Sequence, residues 1–238
     1  MNEVKRKHEE FDYVKLFDTN PELLTPSQED LACELQLTAL GDWVPLRFNL
    51  DNDLWLKNKA VMDSNGWWRP FQPKAGIKND RDCVLIYGME GDEPTTITGL
   101  SQWYEKLGRW PSENEFCFPT SAQKELTVCK EVFDYFDPLG RTFLIKLNAG
   151  GFYPMHRDHY YLTRDTVRLI AFLGDCNQTL EWEVDGRRRT IFANTVYYVD
   201  TRKEHRLHAW ETTNTAMVVM NVKKDWRTMM KILTKVRS

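Results

Sequence analysis

A mainly β fold with flanking helices, α+β in class and built around a sandwich or jelly-roll barrel, is what this sequence predicts. Three observations carry the prediction. Residues 141–223 hold six or seven short runs of strand character, separated by turn signals at regular spacing. One of those turns is Asp185-Gly186, a dipeptide that tolerates the positive φ angles of a tight hairpin. Helical signals, by contrast, dominate the first 140 residues.

In chain order, Thr25-Pro26-Ser27-Gln28 resembles a helix start, with a capping pattern and proline just inside. Trp67-Trp68-Arg69-Pro70 follows, a candidate for lining a substrate pocket, although aromatic residues mostly supply buried area. Cys83 to Gly88 reads as a strand that could extend the major sheet. Ser101 to Leu107 and Ser121 to Phe136 read as helices. The second places Leu126, Cys129, Val132, Phe133 and Phe136 on one face, which is expected to pack on the sheet.

The predicted core begins with Thr142 to Leu147 and the turn Asn148-Ala149-Gly150-Gly151. Its further strands are Val167 to Leu173, Leu180 to Val184, Arg189 to Phe192, Thr195 to Val199 and Thr215 to Val222. The run Arg187-Arg188-Arg189 after the hairpin turn reads either as a contact for an anionic partner or as a charged, exposed tip. No repeat or low-complexity linker interrupts the chain. The expected organisation is a single domain over 1–238, with a helical and mixed elaboration over 1–140 and the β core over 141–223.

The chemistry is concentrated in His156-Arg157-Asp158 and His205, the last lying 47 residues beyond the aspartate. On a strand, residues i and i+2 emerge on the same side, so His156 and Asp158 can reach one ion while Arg157 points away. A neighbouring strand has to supply the third ligand. Two imidazoles and a carboxylate occupy one face of an octahedral Fe(II) ion and leave positions open for a co-substrate and O₂. His159 has the wrong parity for this role. His208, three residues beyond His205, would point to the opposite side of a shared strand. The three residues also admit a metal-free reading in which they satisfy one another.

Residues Arg141 to Lys223 resemble the double-stranded β-helix core of the 2-oxoglutarate/Fe(II)-dependent oxygenases, in the branch of aspartyl/asparaginyl and prolyl hydroxylase-like enzymes. The matching pieces are Lys146 through Asp158, then Arg168-Leu169, then Tyr198-Val199-Asp200-Thr201 leading to His205. The resemblance covers about a third of the chain. It implies a cupin-like jelly roll, with Fe(II) held by His156, Asp158 and His205. It further implies 2-oxoglutarate and O₂ as co-substrates, and hydroxylation of a small molecule, an amino acid or a protein side chain. The family anchors the distal carboxylate of 2-oxoglutarate with an arginine near the start of the final strand, where a planar fork matches a carboxylate. Here that region is Thr212-Thr213-Asn214-Thr215-Ala216, without a cation. Arg168 is the first substitute, Lys146 the second and Arg164 the third. The absent arginine also keeps open a cupin-like protein that binds a metal or ligand without oxygenase turnover. Trp182, Tyr153, Tyr160 and Tyr161 are further candidates for the pocket wall.

Composition agrees with this reading. The 238 residues, 42% hydrophobic, suffice for a substantial core. A net charge of −3 argues against nonspecific nucleic-acid binding, which needs a concentrated basic surface. No apolar stretch approaches the roughly 18–20 residues that span a bilayer, and the N-terminus lacks a signal-type apolar segment. Five cysteines without a C-x-x-C pair suggest reduced thiols in a cytosol-like compartment, where Fe(II) is also stable.

Overall fold

A computed structural model describes residues 28–71, 81–96, 100–136, 139–158, 165–210 and 215–237. Strands β1 (Trp43–Leu46), β2 (Arg69–Pro70), β3 (Arg81–Gly88) and β4 (Phe118–Pro119) come from the N-terminal part. The core holds β5 (Leu139–Leu147), β6 (Phe152–His156), β7 (Thr166–Leu173) and β8 (Leu180–Val184). It continues with β9 (Arg187–Arg189), β10 (Thr195–Val199), β11 (His205–Ala209) and β12 (Ala216–Lys223).

The chain folds back on itself at the β8–β9 hairpin. From there outward, β8 pairs with β9, β7 with β10, β6 with β11 and β5 with β12, all antiparallel. Because these pairs alternate between two sheets, the folded-over ribbon coils into a double-stranded β-helix. Its larger sheet runs β1-β10-β7-β12-β5-β3-β2, with β4 on β3, and its smaller sheet runs β6-β11-β8-β9. The hairpin turn has Asp185 at φ 47° and Gly186 at φ 71°, the two positive angles that match strand twist in a two-residue turn.

Side-chain alternation sorts the large sheet into two faces. Phe143, Ile145, Ile170, Phe172, Tyr197, Met217 and Val219 meet Trp182, Val184 and Leu207 of the small sheet inside the barrel. Leu144, Leu169, Ala171, Val196, Val218 and Met220 face outward and are covered by helical residues such as Trp55, Met62, Val132, Phe133, Met229 and Ile232. Each large side chain so buried contributes about 1.5–3 kcal/mol relative to exposure.

The helices expected over 101–107 and 121–136 are found, the first as Leu100–Leu107. The second is broken into Ser121–Glu125, a 3-10 turn at Thr127–Cys129 and Lys130–Tyr135. Its expected face is buried throughout. Asn58 causes the break. Its Oδ1 accepts the Val128 N–H at 2.9 Å and its Nδ2 donates to Thr127 Oγ1 at 2.9 Å, so an outside side chain replaces a helical partner. The strand expected over 189–192 is also corrected. Pairing ends at Arg189, and the Phe192 N–H donates instead to Tyr197 Oη at 2.9 Å. Arg188 and Arg189 are engaged by Glu181 and Asp42.

Helices Asn52–Ser64 and Trp226–Lys235 carry aspartate caps, Asp51 on the Leu54 N–H and Asp225 on the Thr228 N–H, each at 2.8 Å. Thr25, Pro26 and Ser27 lie outside the described residues. All five cysteines are free. Among the described residues no helix is long and apolar enough to cross a membrane.

Candidate metal centre

The centre forms where β6 and β11 run side by side in the small sheet. His205 lies directly opposite His156, and Leu207 opposite Tyr153. Two steps on β11 therefore answer three on β6, which makes a β-bulge at Pro154-Met155. Without the extra residue, strand alternation would put Tyr153 and His156 on opposite faces; the bulge turns both inward. The two imidazole centroids are 4.3 Å apart. The strand stops at His156, so Asp158 does not reach the site by strand parity as the sequence suggests. Its backbone N–H donates to Thr201 O at 2.9 Å, and this tie to the segment preceding His205 brings the carboxylate in. Ligand atoms of His156, Asp158 and His205 all lie within 4.8 Å of one another.

Both imidazoles are prepared in the same way. His156 Nδ1 sits 2.7 Å from Pro154 O and His205 Nδ1 2.9 Å from Lys203 O. A carbonyl oxygen only accepts, so each Nδ1 carries the proton and each Nε2 keeps its lone pair for a ligand. That is the arrangement of metal-binding histidines. Aromatic rings fix the planes. Trp182 stacks on His205 at 5.5 Å and 10°, and Tyr153 on His156 at 5.9 Å and 27°. Burial pushes the His205 pKa down to about 4, which keeps the ring neutral at physiological pH.

Burial alone would raise the Asp158 pKa. The charge of Arg168, helped by contacts to His156, His205 and Thr201, outweighs it and holds the carboxyl well below the usual range. Arg168 NH1 lies 2.9 Å from Asp158 Oδ2, while Asp158 Oδ1 faces His156 Nε2 at 3.7 Å. One carboxylate oxygen is thus committed to the guanidinium and the other to the space between the histidines. Two neutral imidazole nitrogens and a carboxylate oxygen form a donor set suited to a first-row divalent ion such as Fe(II) or Mn(II).

Arg168 of β7 is therefore brought to the centre, paired with Asp158. Lys146 is not. Its neighbours Ile145 and Leu147 point into the barrel, so Lys146 leaves from the opposite face of β5, with Nζ 4.5 Å from the Trp68 ring and 3.7 Å from Asp82 Oδ2. The same contact takes Trp68 away from the pocket. His208 has outward parity on β11 and contacts Trp210, as its spacing from His205 predicts. His159, Tyr160, Tyr161, Arg164 and 212–214 lie outside the described residues.

Four polar residues, Glu113, Arg141, Asn221 and Arg81, join the interior without a motif to announce them. Glu113, buried in the 3-10 turn Glu113–Glu115, pairs with Arg141 of β5 at 2.8 Å. Asn221 of β12 donates through Nδ2 to Glu113 Oε2 at 3.1 Å and to Arg141 O at 3.0 Å, and accepts from Arg168 Nε at 3.0 Å. Arg81, with the inward parity of Cys83 and Leu85, places its guanidinium 4.0 Å over the Tyr153 ring. The one sequence signal was Asn221 itself, a polar residue at an inward position of an otherwise apolar strand.

No protein-family model matches the sequence, and no curated protein matches it. Among solved structures, the chain is similar to an oxidoreductase of the 2OG-Fe(II) oxygenase family from Burkholderia pseudomallei, at 13% identity and a TM-score of 0.44, covering 84% of this chain and 92% of that one. A Pseudomonas putida prolyl-4-hydroxylase is similar at 15% identity and a TM-score of 0.42, with 81% and 98% covered. A prolyl hydroxylase in complex with a hypoxia inducible factor peptide fragment, from Trichoplax adhaerens, is similar at 11% identity and a TM-score of 0.44, with 89% and 96% covered. Likenesses of this size assign no activity. The order and pairing of this chain's own strands make its core a double-stranded β-helix.

Proposed function

We propose that this chain is an Fe(II)- and 2-oxoglutarate-dependent oxygenase that hydroxylates a C–H bond of a small molecule, an amino acid or a protein side chain. One observation carries the reading: a carboxylate and two imidazoles, each with its Nδ1 against a backbone carbonyl, converge within 4.8 Å in a double-stranded β-helix. In this reading His156 and His205 offer Nε2 and Asp158 offers Oδ1 to the iron. Iron, 2-oxoglutarate and O₂ together supply the oxidising equivalent, and 2-oxoglutarate leaves as succinate and CO₂.

The protein's own part is positional and electrostatic. Pro154 O and Lys203 O fix the tautomers, Tyr153 and Trp182 fix the ring planes, and Arg168 fixes the carboxylate. We assign to Arg168 a contact with the co-substrate's distal carboxylate, in addition to the contacts its NH1 makes with Asp158 and its Nε with Asn221. We also read the whole of 1–238 as one domain, because β3 of the N-terminal part pairs with β5 and Glu113 pairs with Arg141. The free thiols suit a reducing compartment.

The test is anaerobic titration of Fe(II) followed by 2-oxoglutarate, watching for the weak visible charge-transfer band of the chelated complex. The band is expected in the unsubstituted protein and not in Asp158→Ala. A second reading is a cupin-like binding protein without turnover. The observation favouring it is that Arg168 already spends NH1 on Asp158 and Nε on Asn221. Metal uptake without a band would select this second reading, and no metal uptake would refute the oxygenase.

A further inference from the structure

We infer that Glu113 and Asn221 are positioning residues for the metal centre, acting through Arg168 on Asp158; this inference rests on the metal-site reading above. The residues form one buried chain. Glu113 is 1% exposed and Asn221 1%. Glu113 Oε1 meets Arg141 NH2 and its Oε2 accepts from Asn221; Asn221 Oδ1 accepts from Arg168 Nε; Arg168 NH1 meets Asp158 Oδ2. Asn221 and Arg168 are directly opposed across the β12–β7 pair, so the contact needs no long side-chain excursion.

The amide of Asn221 is the hinge of the argument. Its two ends differ only in whether they donate or accept, and Arg168 Nε needs an acceptor. Glu113 Oε2 and Arg141 O both accept from Nδ2, which leaves Oδ1 as the atom that faces the guanidinium. Glu113 thereby decides which way the amide points. Backbone geometry holds Glu113 in place. A β-carbon at Gly140 would lie 3.1 Å from Glu113 O and 3.0 Å from Asn221 O, so the glycine permits the close approach of turn and strand. The turn itself is closed by a capping box between Ser112 and Glu115.

Stability is a poor reason for such a network. Buried ion pairs are often no better than apolar packing of the same volume, because desolvation offsets the attraction. What the chain supplies is a fixed direction for Arg168. The guanidinium then takes one oxygen of Asp158 and leaves the other for the ion. The N-terminal elaboration, through Glu113, is in this way part of the centre.

The experiment measures Mn(II) affinity by the EPR signal of the free ion, for the unsubstituted protein, Asn221→Ser, Glu113→Gln and Val222→Ala. Val222 neighbours Asn221 but packs on the outer face of the sheet, so its truncation perturbs the same strand without touching the chain. Asn221→Ser and Glu113→Gln are expected to weaken Mn(II) binding by about tenfold, the lower end for groups that orient a ligand, with Val222→Ala unchanged. The visible bands of bound Co(II) should shift in Asn221→Ser, where Asp158 is free to turn, and stay in Val222→Ala. If Glu113→Gln does not fold, Asn221→Ser decides alone. Equal weakening in Val222→Ala, or unchanged affinity and Co(II) bands in Asn221→Ser, would overturn the inference. Absence of Mn(II) binding by the unsubstituted protein would instead refute the metal reading, and this inference with it.

Discussion

Asp158→Ala and His156→Ala should both abolish metal binding, yet differ sharply in the stability of the metal-free protein. The reason is the pair Asp158–Arg168, at 2.9 Å with side chains 8% and 15% exposed. Truncating the aspartate leaves a guanidinium buried without its carboxylate. Two unit charges about 4 Å apart interact by about 4 kcal/mol at an effective dielectric constant of 20. Breaking a buried pair from one side typically costs about 3–5 kcal/mol. Arg168 keeps its bond to Asn221 and the field of Glu113, which moves the expectation to the lower end, about 3 kcal/mol. For a chain of this size that is a fall in Tm of about 6–12 °C. His156 is different: its side chain is 34% exposed, its Nδ1 bonds Pro154 O, and its contact with Asp158 is long at 3.7 Å. Its loss should cost about 1 kcal/mol. Urea unfolding in the presence of EDTA compares the two without metal. If Asp158→Ala unfolds together with His156→Ala, Arg168 does not depend on Asp158, and the electrostatic description of the centre is wrong.

Three further outcomes are expected. The His205 pKa falls from 6.5 in the unfolded chain to about 4 in the folded one, so the unfolded chain binds the additional proton between those values. Stability conferred by the neutral ring is present above pH 6.5 and lost as pH falls to 4, by about 3 kcal/mol; unfolding curves in EDTA at pH 7 and 4.5 should show this slope, and His205→Asn should remove it. Lys146→Ala should leave 2-oxoglutarate affinity unchanged and cost under about 1 kcal/mol, because its contact to Asp82 is long and solvent-screened; a large loss of co-substrate affinity would contradict the placement of Lys146 on the outer face. Gly140→Ala should destabilise by about 1–3 kcal/mol through the contacts with Glu113 O and Asn221 O, and an unchanged melting temperature would show that the turn is free to move.

Much of this was legible in the sequence, and the boundary between what was and was not has a physical basis. The core strands announce themselves because apolar runs bounded by turn residues depend on local chemistry. Leu180 to Val184 and Thr195 to Val199 match their elements residue for residue. The three candidate ligands were legible because metal ligands come from few residue types. The route by which Asp158 reaches the centre was not, since it depends on a bulge at Pro154-Met155 and a bond to Thr201 O, both set by the partner strand. Lys146 and Arg168 show the same limit from the other side. Both are cations on core strands, and the phase of each strand relative to the barrel decides which one points inward. Asn58 broke a helix from 70 residues away in the chain, beyond what local periodicity can see. Glu113 had no signal at all, because a buried acid in a loop looks like a solvated one.

The charges around the centre bear on what it binds. Among the described residues, Asp158 is matched by Arg168 and Glu113 by Arg141, and Arg81 adds a further guanidinium over the Tyr153 ring. A divalent cation held by two neutral imidazoles and Asp158 would add two positive charges, which a low-dielectric interior does not tolerate unpaired. A dianionic ligand would offset the two charges of the ion, and a dicarboxylate is such a dianion. Under the proposed function, Arg168 would stand in for an arginine at the start of the final strand, since it lies on β7 directly opposite Asn221 of that strand. The consequence is a coupling of metal and co-substrate through electrostatics: the dianion should bind weakly to the metal-free protein, where Arg168 is already neutralised by Asp158, and much more tightly once the ion is in place.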